Sequence, residues 1–472
     1  MTVPTSDFLA ALRAAIGDDA VFTDAADREA YEHGWRYGHG SAALVAKPST
    51  STQVAEVLRL ATSHGVRVQP IGANTGLVGA SNPDATGGQI VLSLERLNRI
   101  EDVDPIDGVA VVEAGVLLSQ LNEALEPHGL WFPIDLGADP QIGGMVVTNT
   151  GGTRLVRYGD VRRNLLGLEI AFADGTVLTQ LDRLRKNNVG LDLKQLFVGT
   201  SGTFGVVTRA VVALSPRPRQ TATALVAAND GQAVLDLLAT LHREAGDALS
   251  AYEAIGRDAF EVTLQHGANI RTPFQGDLPA YAVLVELAST FTKDRLDLEA
   301  VLEETLVTHV ENDPREGLAD VLVGRGEDFW AIRHQVSESL REEGTVLAFD
   351  LSVPRAKLAA FTDAIRARLA ERHPFVRLCD FGHWGDGGTH LNLVWRPDDV
   401  TGDAEALWGE LRDLVYDTCC RDFAGSFSAE HGVGPHNLAY YERYSAPEAR
   451  TVCSVLGALF DPSTRLGTFR LG

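Results

Sequence analysis

The segment FGHWGDGGTHLNLV, residues 381–394, sets His383 and His390 on either side of a Gly-Asp-Gly-Gly turn, so the chain can fold back and bring two imidazoles to one point. Past the turn, the period of two in a strand puts His390 and Asn392 on one face, away from Leu391 and Leu393. A second segment, SAEHGVG at 428–434, supplies Glu430 and His431 side by side. In extended backbone these point opposite ways, one toward a metal and its neighbour toward a substrate. Two imidazoles and one carboxylate form a common catalytic metal set with a position open for a substrate oxygen. Neither segment has HExxH spacing, so on spacing alone histidines satisfied in a core or at the surface remain the commoner outcome.

Glycine is the next signal. Residues 137–205 hold 12 glycines in 69 positions, against 46 in the whole chain of 472, which marks backbone under geometric constraint. The loop GANTGLVG (72–79) could turn successive N–H groups inward around an anion such as a pyrophosphate. It is neither GxGxxG nor a Walker loop, which argues against a Rossmann site and an NTPase. IGGMVVTNTGG (142–152) pairs two Gly-Gly steps across an apolar centre that reads as strand-like, and LFVGTSGTFGVVT (196–208) runs from glycine turns into a strand. Three such loops in one half of the chain imply a long ligand threaded past several backbones.

The elements that must position these residues follow from periodicity. Residues 52–64 read as a helix, 66–72 as a strand entering the first loop, 90–94 and 109–113 as strands, and 117–128 as a helix. Residues 168–172 and 206–214 are short β-branched strands, so this half is α+β rather than regular βαβ. SPRPRQ (215–220) reads as a boundary. Beyond it, strands such as 281–287 alternate with amphipathic helices at 295–305 and 355–371, which predicts an antiparallel sheet covered by helices, and a last helix is expected over 447–460. A formal charge of −23 without a Lys/Arg cluster opposes nucleic-acid binding. The four cysteines form no cluster or zinc motif, no apolar run could span a membrane, and the start lacks a signal peptide's basic region and cleavage site; the expected location is therefore cytoplasmic.

Taken in order, GANTGLVG, FPIDLGA, IGGMVVTNTGG, RYGD, FADG and LRKNNVGLDLKQLFVG resemble the FAD domain of the vanillyl-alcohol-oxidase type flavoproteins. Within that group the chain is most similar to the D-2-hydroxyglutarate, D-lactate and glycolate dehydrogenases. The resemblance implies a two-part FAD-binding domain over 1–218, a substrate domain over 219–421 and a C-terminal segment, 422–472, that completes the active site. It carries FAD contacts to Gly72, Asn74, Thr75, Gly76, Leu77, Pro133, Gly143, Gly144, Asn149, Gly152 and Val206. No histidine lies in the first loop for an 8α-histidyl link. GHxGDGxxHxN and SxEHGxG are the family's substrate-domain and C-terminal signatures, so His383, His390 and Glu430 are expected to hold a divalent metal, commonly zinc, with His431 as general base and Asn392 beside the substrate. In a third family segment, FWAIRHQVSE, Arg333 offers a fork for a substrate carboxylate, its alternative being a solvated helix charge.

The implied reaction is oxidation of a D-2-hydroxy acid to the 2-oxo acid. Electrons then leave for an external acceptor, an electron-transfer flavoprotein or a quinone. Oxygen as acceptor, which would make the protein an FAD-dependent oxidase, is the alternative; a metal-dependent hydrolase or a ligand-binding protein stands behind it. The family is often dimeric, so a homodimer is compatible with the resemblance. Departures bear on substrate: Ala348 stands where the hydroxyglutarate enzymes usually have lysine, Trp384 where a small residue is usual, Ser201 for Glu, Gly388 for Asn and Asn437 for Lys. A pocket that loses a lysine and gains an indole is expected to favour a side chain less anionic than that of 2-hydroxyglutarate.

Overall fold

The computed structural model describes residues 4–400 and 402–472, which divide into two compact units. The first comprises residues up to Gly151, Gly159–Arg217 and Glu430–Gly472; the second comprises Gly152–Tyr158 and Pro218–Ala429. Among the described residues no helix is long and apolar enough to cross a membrane.

The first unit is built on two sheets. Strands Ala42–Ala46 and Arg67–Ile71 both run parallel to Gln89–Ser93, which lies between them, with helix Ser51–Ser63 as the crossover. One βαβ crossover therefore sits inside a fold that the strand pattern reads as α+β. The first glycine loop leaves the C-terminal end of Arg67–Ile71, where parallel strands present loops to ligands. The other sheet is antiparallel, in the order Ile100–Asp104, Val109–Glu113, Val206–Ala213, Leu165–Ala171, Val177–Gln180. The last helix, Pro447–Phe460, lays Phe460 against Phe172, Phe197 and Phe204 with ring centroids 5.1–5.8 Å apart. IGGMVVT departs from its strand-like reading and forms the helix Ile142–Thr148. Gly143 has tertiary work there: its N–H donates to the Ala114 carbonyl at 2.8 Å, and a Cβ on it would meet Ala114 Cβ at 2.7 Å. Close packing on a neighbouring strand outweighs glycine's low helix propensity.

The second unit is a seven-stranded antiparallel sheet in the order Leu318–Val323, Gln220–Ala228, Tyr281–Ser289, Leu249–Gly256, Arg377–Gly382, Gly388–Trp395, Thr345–Ser352. Helices Arg257–His266 and Gly326–Glu343 cover one face through Phe260, Phe329, Ile332 and Val336. Helices Gly231–Glu244, Leu298–Asn312 and Leu358–Arg372 pack on the unit as well, with Tyr252 Oη donating to the Val234 carbonyl and Tyr281 Oη lying 3.2 Å from Thr362 Oγ1. Charges on these strands are answered: Glu286 accepts from Ser250 Oγ at 2.6 Å, from Trp330 Nε1 at 3.0 Å and from Arg154.

Asp380 is the exception. It is fully buried, neither carboxylate oxygen has a hydrogen-bond partner, and the Arg366 guanidinium stands 3.9 Å away. Burial, working against the Arg366 charge, raises its carboxyl to about 6. A carboxyl whose pKa is raised on folding favours the fold below its unfolded value and loses that contribution as pH climbs through the folded one. Asp380→Asn is thus expected to stabilise the protein at pH 8 by up to about 3 kcal/mol, a gain that fades below pH 4. Equal denaturation midpoints for both proteins at every pH would rule this out.

Candidate active site

In the first unit, three backbone devices shape the glycine loops. Asn74 is left-handed (φ 57°), its amide donating to the His33 carbonyl at 2.5 Å and accepting from Ser81 Oγ at 2.8 Å. Asn149 caps helix Ile142–Thr148 at φ 55°, its side chain held by Asp160 (2.8 Å) and the Arg162 N–H (2.9 Å), so what it offers a cofactor is backbone. Ser201 (φ 52°) donates its N–H to the Val147 carbonyl at 2.8 Å, which wraps the third loop over that helix. Gly76 and Gly144 have nothing within 4 Å of where a Cβ would stand. Between the first loop and the helix, Gln141 Oε1 is buried without a hydrogen-bond partner; so are both amide atoms of Asn82 beside Gly34 and Gly38. Buried polar atoms normally find partners. Orphaned polar atoms beside glycine loops fit a polar ligand such as FAD. Val206 opens the strand Val206–Ala213, Pro133 lies in the loop after Leu130–Trp131, and Gly152 (φ 102°) begins the short stretch belonging to the second unit.

The same unit fixes the segment carrying His431. Ser201 Oγ donates to the Val433 carbonyl at 2.7 Å, the His436 N–H to the Val78 carbonyl at 3.2 Å, and the His436 ring stacks on Tyr37 with centroids 3.6 Å apart. Ser201 thus ties the third loop to the C-terminal segment. Glu430 and His431 lie in bends, not in extended backbone, and their ligand atoms come within 4.8 Å of each other. The expectation that they diverge is corrected: alternation needs strand dihedrals, and these residues lack them.

In the second unit the histidine signature becomes the strands Arg377–Gly382 and Gly388–Trp395. Register puts His390 opposite both Phe381 and Asp350, and Asn392 opposite Cys379 and Ala348, so all share one face of the sheet. His383 Nε2 and His390 Nε2 are 3.2 Å apart. Two nitrogens each about 2.0–2.1 Å from one tetrahedral ion are roughly 3.3 Å apart, so this pair fits a shared metal. Asp350, absent from the sequence-based set, brings a carboxylate within 4.8 Å of the His390 ligand atom. It also accepts from the Ala429 N–H at 3.0 Å. Asn392 donates to the His390 carbonyl at 3.1 Å.

Arg333 is nine-tenths buried on helix Gly326–Glu343, not a solvated surface charge. Its guanidinium lies 4.8 Å from the Phe381 ring centroid and its Nε donates to Glu253 Oε2 at 2.5 Å. The other oxygen, Oε1, is 2.6 Å from His383 Nδ1. Burial pushes the Glu253 carboxyl up, but the Arg333 charge and the hydrogen bonds from His383 and Arg333 win and hold it well below the usual carboxylate range. Sequence reasoning missed Glu253; its signal is a lone carboxylate in the apolar strand SAYEAIG, which demands a buried cationic partner. The Trp384 indole is fully buried against Tyr281, with Gly231 close by, and Ala348 faces Asn392.

The chain matches the FAD binding domain family over residues 42–180 and the C-terminal domain of FAD linked oxidases over 217–468. It is 34% identical to a mitochondrial D-2-hydroxyglutarate dehydrogenase of Bos taurus, covering all of this chain and 84% of that one. Against the mitochondrial Arabidopsis thaliana enzyme of the same name the identity is 32%, over 97% of this chain and 80% of the other. A putative mitochondrial D-lactate dehydrogenase of Schizosaccharomyces pombe matches at 32%, over 93% and 84%. In three dimensions p-cresol methylhydroxylase superposes with a TM-score of 0.71 at 18% identity over 98% of both chains, and alkyldihydroxyacetonephosphate synthase with 0.72 at 16% over 98% and 86%; both show the fold. The cytoplasmic expectation is overturned, because these sequence relatives are named mitochondrial. Targeting signals are read by an import machinery and not by the folded chain, so the composition of the fold carries no address. With glycine loops that suit a dinucleotide and a C-terminal family match spanning more than half its length, the chain belongs to the FAD-linked oxidases of the vanillyl-alcohol-oxidase fold.

Proposed function

We propose that this chain is an FAD-dependent dehydrogenase that oxidises a D-2-hydroxy acid to the 2-oxo acid, and that the acid's side chain is less anionic than that of 2-hydroxyglutarate. The observation that carries the reading is the meeting of His383 Nε2 and His390 Nε2 at 3.2 Å on the sheet face that also holds Arg333 and Asn392. Arg333 takes the substrate 1-carboxylate on its Nη edge, since its Nε is committed to Glu253. Asn392 lies beside the substrate. His383, His390 and Glu430 would hold a divalent metal, and a donor set of two imidazoles and one carboxylate suits zinc. The metal would supply charge stabilisation for a hydroxyl oxygen, and FAD would supply a hydride acceptor. An imidazole nitrogen of His431 receives the hydroxyl proton. The relatives' names include both D-2-hydroxyglutarate and D-lactate dehydrogenases; Ala348 opposite Asn392, where the resemblance in sequence leads to the expectation of a lysine, favours the less charged acid. The acceptor is external, an electron-transfer flavoprotein or a quinone.

The test is a panel of D-2-hydroxy acids with an artificial electron acceptor, with and without a chelator. Chelation is expected to abolish turnover while flavin absorbance stays, and a single added divalent metal to restore it. Full turnover in chelator removes the metal from the reading. Preference for 2-hydroxyglutarate by orders of magnitude in kcat/KM removes the substrate assignment, and stoichiometric hydrogen peroxide makes oxygen the acceptor.

A further inference from the structure

We propose that Glu253 is a positioning residue which sets the anion clamp and a metal ligand together, Oε2 holding Arg333 by its Nε and Oε1 holding His383 by its Nδ1. This rests on the roles given above to Arg333 and His383. Glu253 is 1% exposed in the middle of strand Leu249–Gly256, and the two contacts are 2.5 and 2.6 Å. Each has a chemical consequence. A carboxylate at Nδ1 keeps the proton on that nitrogen, so the lone pair of His383 is on Nε2, the atom that meets His390 Nε2 at 3.2 Å. A carboxylate at Nε, with the Phe381 ring 4.8 Å from the guanidinium carbon, leaves the Nη pair as the edge a second carboxylate can reach. An ordinary ion pair would spend both oxygens on the arginine. Here they are divided between two functional side chains, which couples the occupancy of one to the orientation of the other.

The experiment compares Glu253→Gln and Glu253→Asp with the parent holoprotein, reading Co(II) affinity by competition with a chromogenic chelator and, separately, KM and kcat for the preferred D-2-hydroxy acid. Glu253→Gln is expected to weaken Co(II) binding 10- to 100-fold and to raise KM, because an amide satisfies one partner but presents N–H to the other. Glu253→Asp keeps the charge but draws its oxygens back by about one C–C bond, roughly 1.5 Å, and is expected to weaken Co(II) binding as well. It stands in if the glutamine variant does not fold. A folded variant of either kind with parental Co(II) affinity and KM overturns the proposal. His383→Ala and Arg333→Lys are measured alongside: if they too leave Co(II) affinity and KM untouched, the failure lies in the roles of those residues.

Discussion

Replacing His431 with Asn is expected to lower kcat by about 10²- to 10⁴-fold, the range spanned by a positioned general base, while the purified protein keeps its flavin spectrum. Asparagine is polar and compact but has no nitrogen that titrates near neutrality. Cofactor retention follows from how the segment is attached. The Val433 carbonyl and His436 N–H, not the His431 ring, make the bonds to Ser201 and Val78 that tie the segment to the glycine loops. Rapid-mixing measurement of flavin reduction isolates the step. A reduction rate within a factor of two of the parent takes the proton-acceptor role away from His431.

Arg333 has the second large effect, and it separates binding from folding. Arg333→Met removes the clamp and leaves Glu253 buried with one of its two partners, so a stability loss of about 3–5 kcal/mol is expected beside the loss of activity. Arg333→Lys retains a charge near Glu253 but lacks the planar fork, so it should fold well and still lose about 10²-fold or more in kcat/KM. Urea midpoints and steady-state kinetics on the two variants check both halves. A lysine variant with parental kcat/KM would dispose of the clamp.

The local signals in this chain were strong where backbone chemistry is local. VAVVE alternates no charge into its interior and is a strand with the bounds its pattern suggests, Val109–Glu113. Pro447 at the first turn and apolar spacing up to Phe460 mark the last helix. Helix 355–371 was displaced by only a few residues, to Leu358–Arg372, because a short 3₁₀ turn, Arg355–Lys357, precedes it. IGGMVVT misled because glycine pairs advertise a turn or a strand. What made them helical is the approach of Gly143 to Ala114, a contact between residues distant in sequence.

What the sequence determined by itself is the inventory: which loops can pass close to a dinucleotide, which imidazoles and carboxylates are available, and which family their order resembles. Those follow from residue type and short spacing, and both are written in the chain. Which of these side chains meet was decided by the tertiary structure. Strand register set His390 against Asp350 and put Ala348 beside Asn392; the core took in the Trp384 indole; and Glu253, 80 residues before Arg333 and 130 before His383, closed on both. The physical reason is desolvation. A carboxylate drawn into an apolar sheet is stable only where folding delivers its cationic and N–H partners, and that delivery is a property of the assembled sheet and not of any local stretch of chain.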